Sequence, residues 1–413
     1  MGLPSSTTTK NFPRILHVIN LNTVGGVEQL FAHFLEHTID PAHGVHSALL
    51  MGDRIHPYFR TCCDERLESF RSAKHFGIVK IPKVPSGLRV RKVEYVLNRF
   101  RPDVCLIWNR FADPTLRAAF ERAKTECVYY EEGSAWLASP DRSADNLLPV
   151  CSRAMAASRA AARVLELRWA YKGEIVTFPN GIRPDVVPAK APARELPENR
   201  PLRLGMAARL IPLKAPETAL ETVKRLEERG VDCTLHLAGD GPLLPRLKKR
   251  ASTLNIAGRC VFHGLIEDMA SFYDEIDLLL VPSVREPFGM VASEAAVRGC
   301  PAIVARVDGL PEVVEHGMTG YTLSPKVALK EAMEPGDGDS EFPEFVYDPD
   351  SDRLQPPRFL DPADVADHIV SLTASPETYA SMSKRGAQRA REEFGFDRYV
   401  ERLTGALIRK PNS

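Results

Sequence analysis

Residues 276–294, IDLLLVPSVREPFGMVASE, carry the clearest signal of the fold in this chain. The apolar run IDLLLVPS has the length and composition of a buried strand, and a helix is predicted to begin at Val291. Open α/β sheets bind ligands beyond the carboxyl ends of their strands, and the loop from Arg285 to Gly289 lies at such an end. The stretch therefore predicts a strand–loop–helix unit of a parallel sheet, with its loop placed to contact a ligand.

The same alternation of strand and helix patterns continues on both sides of this unit. Downstream of residue 201, strands are predicted at 202–208, 231–238, 259–262, 276–281 and 302–304, and helices at 216–228, 242–254 and 291–298. Upstream, strands are predicted at 14–20, 44–51, 76–81, 102–109, 126–130, 154–158 and 174–178, and helices at 27–35, 86–100 and 114–125. Such a βαβα succession is typical of a parallel sheet covered by helices on both faces.

A proline-rich segment divides the two series. Residues 184–201, PDVVPAKAPARELPENRP, have no apolar period, which is typical of a linker. We therefore predict two Rossmann-like α/β domains, at 12–190 and 191–393, and we expect a helix at about 394–413 to pack back on the first. Residues 324–361 are polar, acidic and rich in proline, and they are predicted to form a mobile surface insertion in the second domain.

The composition of the 413-residue chain excludes several classes of protein. Since 54 basic and 54 acidic side chains cancel, no bulk charge favours nucleic acid as a partner. The eight cysteines show neither CxxC spacing nor a zinc-ligand pattern, which favours reduced thiols in a cytoplasmic protein. No stretch approaches ~20 apolar residues and MGLPSSTTTK lacks an apolar signal core, so we expect any membrane contact to be peripheral.

A basic helix predicted at 86–101 is the candidate for such a contact. Its basic side chains are Arg89, Arg91, Lys92, Arg99 and Arg101, and they alternate with regularly spaced apolar residues. Two interpretations are open. The helix either lies on an anionic membrane surface or covers the sheet with its apolar face while its charged face is solvated.

Two glutamates, Glu286 and Glu294, occupy the loop and the helix of the stretch quoted first. Glu286 falls in the loop, and Glu294 falls in the second turn of the helix. Gly289 allows the backbone to approach a ligand closely, and the amides of Met290 and Val291 at the helix start suit a phosphate or sugar oxygen. By spacing alone, an exposed loop glutamate and a surface helix glutamate remain an open alternative.

This segment is similar to the Glu-x7-Glu motif of family 4 glycosyltransferases, and the resemblance covers most of the chain. It is densest from 202 to 323. The resemblance implies the GT-B fold, in which two Rossmann-like domains have parallel sheets facing across a cleft. It implies that Glu286 contacts hydroxyls of the transferred sugar and that Glu294 binds the ribose. It also implies that backbone amides from Phe288 to Val291 hold sugar or phosphate oxygens.

Arg209 and Lys214 follow the first predicted strand of the second domain, in GMAARLIPLKAPE. They match the family's Arg-x4-Lys motif, which implies that both contact the donor diphosphate. Negative charge accumulates on the leaving diphosphate, and two fixed cations can stabilise it where a metal would otherwise be required. The resemblance thus implies a reaction that needs neither a metal nor another cofactor. Taken alone, an Arg and a Lys in a loop are more often solvated surface charges.

Further glycine and loop positions extend the resemblance. Gly239 ends a strand in LHLAGDGP, where a tight turn without ligand contact is the open alternative. Leu265 and Ile266 follow another strand, in a loop that in the family reads the base through its main chain. Gly25 and Gly26 resemble the family's glycine loop, which approaches the donor phosphates and the acceptor.

Two positions depart from the family. Asp308 stands in place of the first glycine of the Gly-Gly-x-Pro-Glu loop, and we expect its role to be structural. Glu132 stands where many members carry a histidine near the donor sugar. Either Glu132 takes over a sugar contact, or the geometry differs, or Glu131 and Glu132 merely rim the cleft. We expect Glu132 to be ionised and to accept a hydrogen bond from a sugar or acceptor hydroxyl, with Glu131 pointing the other way.

The sequence therefore predicts a glycosyltransferase that uses a nucleoside-diphosphate sugar donor and a hydroxyl acceptor on a glycan, a lipid-linked molecule or a small molecule. The resemblance implies retention of anomeric configuration by front-face attack, with the leaving phosphate oxygen helping to deprotonate the acceptor. Two alternatives stay open. One is another GT-B enzyme, such as a nucleotide-sugar epimerase, and the other is a non-catalytic nucleotide-sugar-binding protein.

Overall fold

A computed structural model describes residues 12–38, 43–52, 54–60, 62, 68–71, 75–76, 79–80, 86–332 and 342–408. They form two large parallel sheets with helices between the strands. Within these ranges, no helix has both the length and the apolarity of a membrane span.

The first sheet has seven strands in the order β3-β2-β1-β6-β7-β8-β9, and every neighbouring pair is parallel. The strands of this region, including a separate hairpin of β4 and β5, are β1 (Arg14–Ile19), β2 (Val45–Leu50), β3 (Glu68–Arg71), β4 (His75–Phe76), β5 (Val79–Lys80), β6 (Val104–Trp108), β7 (Glu126–Glu131), β8 (Arg153–Ala156) and β9 (Ile175–Thr177). The helices are α1 (Gly26–His37), α2 (Ser86–Phe100), α3 (Pro114–Arg122), α4 (Ser134–Leu137) and α5 (Arg159–Trp169).

Both faces of the first sheet are buried, which explains its nearly continuous apolar strands. In β1, Ile15 and Ile19 pack in one apolar cluster, whereas Leu16 and Val18 pack in another on the opposite face. Alternation along the strand sends successive side chains to opposite faces, so one strand stabilises two helix layers at once.

The predicted strand at 76–81 is wrong as a member of this sheet. The described part of that segment forms the antiparallel hairpin of β4 with β5, while residues 77, 78 and 81 lie outside the described residues. The edge strand next to β2 is instead β3, whose sequence ESFR lacks an apolar run. An edge strand needs less burial than a central one, so its sequence signal is weaker.

The second sheet has six parallel strands in the order β12-β11-β10-β13-β14-β15. They are β10 (Leu202–Ala207), β11 (Cys233–Ala238), β12 (Cys260–Gly264), β13 (Leu278–Val281), β14 (Ala302–Ala305) and β15 (Gly320–Leu323). The helices that follow β10 to β14 are α6 (Pro216–Glu228), α7 (Leu244–Thr253), α8 (Met269–Glu275), α9 (Met290–Val297) and α10 (Leu310–Val313). The strand order reverses between β10 and β13, and such a switch point is where doubly wound sheets bind ligands.

The segment at 324–361 is not an unpacked surface insertion where the structure describes it. Its elements are β16 (Val327–Ala328), α11 (Leu329–Ala332), β17 (Val346–Asp348), β18 (Arg353–Gln355) and β19 (Arg358–Phe359). Strands β17 and β18 pair as a hairpin, and Tyr347 is buried in an apolar cluster of the first domain. Asp352 accepts two hydrogen bonds of 2.8 Å from Arg163 on α5. The hairpin therefore joins the two domains.

The chain returns to the first domain after two helices of the second, α12 (Pro362–Thr373) and α13 (Pro376–Glu393). The returning helix is α14 (Phe396–Ile408), whose apolar side chains share a core cluster with β1 and α1. Arg153 at the start of β8 donates a 2.9 Å hydrogen bond to the Ala406 carbonyl. Residues 409–413 lie outside the described residues.

Candidate active site

The carboxyl ends of the two sheets meet across a cleft, and several glycines allow their loops to approach. Gly26, at the start of α1, lies so near Met290 of the second domain that a Cβ there would be 3.2 Å from the Met290 sulfur. Ser158 after β8 donates to the Pro287 carbonyl at 2.6 Å. The predicted glycine loop at Gly25 and Gly26 therefore lies next to the loop from Arg285 to Gly289, which we call the sugar loop.

The structure brings Glu286 and Lys214 together. Lys214 Nζ donates to Glu286 Oε2 at 2.5 Å, and Ser283 Oγ lies 3.4 Å from the same oxygen. The Glu286 side chain is 14% exposed and that of Lys214 is 25% exposed, so both are partly open to the cleft. Arg209 is exposed at the end of β10. The ion pair gives the site both a hydrogen-bond acceptor for hydroxyls and a cation for a phosphate.

Gly289 has a left-handed backbone with φ of 106° and forms the N-cap of α9. A Cβ at this position would also lie 2.7 Å from Leu310, so a side chain is excluded on two grounds. Phe288 is buried, and it anchors the loop in the core of the second domain. The first amides of α9, at Met290 and Val291, have no acceptor within their own helix, and the positive end of the helix dipole favours an anion there.

Glu294 is buried and bonded to two protein side chains. Its Oε1 accepts from Arg183 Nε at 2.9 Å, and its Oε2 accepts from Tyr273 OH at 2.8 Å. Arg183 belongs to the segment that joins the domains, just before the predicted linker. Neither partner was predicted from the sequence, because they lie 111 and 21 residues from Glu294 and nothing in their local pattern marks the contact.

Glu132 is buried, and burial disfavours the ionised carboxylate expected from the sequence. Its Oε2 accepts from Asn180 Nδ2 at 2.7 Å, and Tyr130 OH donates to Asn180 Oδ1 at 2.9 Å. Its Oε1 is buried, with no hydrogen-bond partner among the described residues. Burial, reinforced by the charges of Glu131 and Glu28, raises the pKa of Glu132 to about 8. At neutral pH the group is thus a neutral acid, which can donate as well as accept.

Glu131 lies inside the first domain, so the two glutamates do not form an acidic rim. Its carboxylate accepts hydrogen bonds from Tyr129 OH and from the amides of Gly133 and Ala135. Gly133 has φ of 127°, which turns the chain sharply from β7 into α4. Glu131 therefore holds the turn that follows β7.

Two loops of the second domain meet at the carboxyl ends of β11 and β12. The Gly239 amide donates to the Gly264 carbonyl at 2.6 Å, and a Cβ on Gly239 would lie 1.9 Å from the Ala208 carbonyl oxygen. This crowding supports the tight-turn interpretation of Gly239. The next loop exposes Leu265, whose side chain is 83% accessible, whereas Ile266 packs on the core.

Asp308 takes a larger part in the site than the sequence indicated. Its Oδ2 accepts from the Glu286 amide at 3.0 Å, while its Oδ1 accepts from Trp136 Nε1 at 2.9 Å and from the Tyr347 amide at 2.7 Å. Burial raises the pKa of Asp308 to about 6, although these hydrogen bonds and the nearby Arg285 charge act to lower it. Within the described ranges, no group of three or more His, Cys, Asp or Glu side chains could hold a metal ion.

Solved structures with the same architecture include a nucleotide-bound protein and a named glycosyltransferase. The complex of Anabaena Alr3699/HepE with UDP and glucose superimposes with a TM-score of 0.68 at 18% identity, over 96% of this chain and 99% of that one. WaaG, a glycosyltransferase involved in lipopolysaccharide biosynthesis, gives a TM-score of 0.63 at 13% identity, over 96% of this chain and 100% of that one. In addition, residues 189–334 match the sequence model of the family described as "Glycosyl transferases group 1". The chain therefore has the GT-B fold, and residues 189–334 resemble group 1 glycosyl transferases.

Curated relatives of this GT-B chain align only with a part of it. N-acetyl-alpha-D-glucosaminyl L-malate synthase of Bacillus anthracis is 42% identical over 22% of this chain and 24% of its own length. D-inositol 3-phosphate glycosyltransferase of Streptomyces griseus subsp. griseus is 35% identical over 35% of this chain and 34% of its own length. The chain thus matches about a quarter to a third of the length of these relatives.

Proposed function

We propose that this protein is a retaining glycosyltransferase of family 4, which transfers a sugar from a nucleoside-diphosphate sugar to a hydroxyl acceptor. The observation that carries the proposal is the Glu286–Lys214 pair, whose side chains are 14% and 25% exposed beside the start of α9. A sugar phosphate needs an acceptor for its hydroxyls and positive charge for its phosphates, and this corner supplies both. The UDP and glucose bound to HepE and the names of the aligned relatives support the same class of reaction.

In the proposed reaction, the bond between the anomeric carbon and the diphosphate oxygen breaks while the acceptor oxygen bonds to the same face of that carbon. The acceptor proton passes to the leaving phosphate oxygen. Lys214 and Arg209 stabilise the charge that develops on the diphosphate, and the amides of Met290 and Val291 add hydrogen-bond donors. Since these groups neutralise the leaving group, we propose that the reaction requires neither a metal nor another cofactor.

Within this proposal, Glu286 accepts from hydroxyls of the transferred sugar, and Glu294 accepts from ribose hydroxyls beside its two protein partners. Glu132 contacts a sugar or acceptor oxygen through its free Oε1. Gly25 and Gly26 let the first domain approach the phosphates, and Gly239, Leu265 and Ile266 border the nucleotide. The position of these residues near the carboxyl ends of the sheets supports the assignments.

The test begins with thermal shifts against a panel of nucleotide sugars and continues with turnover of the best donor with candidate acceptors. Glu286→Gln should then lower kcat about 10²–10³-fold, the loss typical of one preorganised transition-state contact. Glu228→Gln, on the exposed end of α6, serves as the matched control. Wild-type turnover by Glu286→Gln would remove Glu286 from the mechanism. Reaction of the donor without any acceptor would indicate an epimerase, and donor binding without turnover would indicate a binding protein.

We also propose that α2 makes peripheral contact with an anionic membrane. Its apolar face packs on the sheet through Val90 and Val93, yet Leu88 and Tyr95 are 55% and 60% exposed among basic side chains. Exposed apolar groups next to cations suit an anionic lipid surface. Charge reversal at Arg89 and Arg91 should abolish sedimentation with phosphatidylserine vesicles. Equal sedimentation of the variant and the wild type would contradict the proposal.

A further inference from the structure

The carboxylate of Asp308 joins three separate parts of the molecule. It accepts from the amide of Glu286 in the sugar loop, from the amide of Tyr347 in the β17–β18 hairpin, and from the indole of Trp136 in the first domain. The Asp308 amide in turn donates to the Tyr347 carbonyl at 3.0 Å. The side chain is 1% exposed, so protein groups rather than water satisfy its oxygens.

This arrangement depends on the residue type at position 308. The backbone of Asp308 has φ of 47°, a left-handed conformation that glycine and asparagine also adopt readily. Glycine, which the resembled loop carries here, would leave all three N–H groups without this acceptor. Buried donors without an acceptor are costly, so the carboxylate and its three partners form one unit.

The contact with Trp136 crosses from one domain to the other. Trp136 lies on α4, directly after the turn held by Glu131, and the Arg285 guanidinium stacks over its ring at 5.3 Å. Arg285 also donates to the Gly133 carbonyl in the first domain. Because Arg285 and Glu286 are adjacent in the chain, the sugar loop is held from both sides only when α4 is docked.

We propose that Asp308 is a positioning residue, which makes the placement of the Glu286 loop depend on the docking of the first domain through Trp136. The catalytic consequence rests on the proposed function, whereas the mechanical coupling does not. When Trp136 leaves, Asp308 loses one of its three donors and Arg285 loses its ring. The Glu286 loop then loses this anchor on the first domain, although Ser158 still donates to the Pro287 carbonyl and Arg285 to the Gly133 carbonyl.

Hydrogen exchange of the full chain without ligand tests the coupling. Asp308→Asn keeps the shape but offers one acceptor oxygen and an NH₂ group to three donors, so at least one N–H then faces another donor. Trp136→Phe removes only the hydrogen bond from the Trp136 indole to Asp308, which joins the two domains. Each variant should lower the protection of the segment at 284–292 roughly tenfold, the loss expected for one buried hydrogen bond.

Trp169→Phe is the matched control. The Trp169 indole donates to the Ala135 carbonyl at 3.1 Å, so it supports the same helix through a hydrogen bond that lies within the first domain. We expect this variant to leave the exchange of 284–292 unchanged. Unchanged exchange in Trp136→Phe, or equal loosening in Trp136→Phe and Trp169→Phe, would overturn the proposal.

A kinetic measurement separates positioning from a merely structural role. With UDP-glucose as the probe donor, Trp136→Phe should lower kcat at least roughly tenfold while the Kd for UDP stays within about twofold, because Lys214 and the α9 amides are untouched. An equal loss of UDP affinity would indicate general unfolding of the site and overturn the assignment. If the wild type does not turn over any donor, the proposed function fails, yet the exchange experiment still decides the coupling.

Discussion

Replacing Glu132 by glutamine separates the two protonation states of this side chain. If Glu132 is a neutral acid, its Oε2 accepts from Asn180 and its protonated Oε1 is free to donate to a sugar or acceptor oxygen. Glutamine provides the same acceptor and the same donor in nearly the same shape. Glu132→Gln should therefore retain most activity at neutral pH, whereas Glu132→Ala should lose it.

The size of the effect on stability follows from the raised pKa. The pKa of Glu132 rises from the ordinary 4.5 to about 8, mainly because of burial. At about 1.4 kcal/mol per pKa unit, the folded protein prefers the neutral form by roughly 5 kcal/mol. Since the folded-state pKa is raised, the stability contributed by Glu132 is fully present below pH 4.5 and is lost progressively as the pH rises to about 8. By pH 7 the loss is about 3 kcal/mol.

Urea unfolding of the wild type and of Glu132→Gln between pH 5 and 9 measures this loss. Glutamine does not titrate, so the variant should become more stable than the wild type as the pH rises, and the gap should level off above about pH 8. The kcat/KM of the wild type should fall as the pH rises through about 8, where Glu132 of the folded protein ionises, while that of Glu132→Gln stays flat. Glu121→Gln, on the exposed face of α3, is the control.

Two results would refute this reasoning. One is a stability gap between Glu132→Gln and the wild type that does not change with pH. The other is a glutamine variant as inactive as the alanine variant, which would mean that the ionised carboxylate is needed. That result would support the prediction made from the sequence, in which an ionised Glu132 accepts a hydrogen bond from a sugar or acceptor hydroxyl.

Three further predictions concern the chelator response, the β7 turn and the domain arrangement. Transfer should survive EDTA unchanged because Arg209 and Lys214 supply the positive charge, and a loss reversed by Mn²⁺ or Mg²⁺ would contradict this. Glu131→Gln should lower the free energy of unfolding in urea by about 2–3 kcal/mol, since its NH₂ group would face the amides that now donate to Glu131. A loss below about 0.5 kcal/mol would show that the turn is stable without this carboxylate. A saturating donor should reduce the radius of gyration by closing the cleft about the linker at 184–201, and scattering profiles that do not change would argue against closure.

The second domain was largely predictable because burial on both faces makes its central strands continuous apolar runs. The same physics explains what was missed. β3, with the sequence ESFR, lies at an edge and carries no such run. The β17–β18 hairpin buries Tyr347 inside an acidic, proline-rich segment whose average composition indicated solvent exposure.

The site was predictable where a motif is local and not where it depends on distant partners. Glu286, Lys214 and Gly289 lie in short segments with a recognisable order, and the structure places them at the cleft. The protonation of Glu132 depends on how deeply its side chain is buried, and the spacing of residues in the sequence does not show this. The bonds of Glu294 to Arg183 and of Asp308 to Trp136 join residues that are 111 and 172 positions apart, so only the folded chain shows them.

The return of α14 to the first domain has a consequence for the order in which the protein matures during translation. Phe396, Tyr399 and Leu403 complete the same apolar cluster as Ile15 and the helix α1. The first sheet leaves the ribosome early, but α14, which completes its core, is synthesised only after the whole second sheet. We therefore expect the second domain to reach its native state first, although nascent domains usually fold from the amino terminus onward. Until α14 arrives, the first domain shows an apolar surface that a chaperone would have to cover.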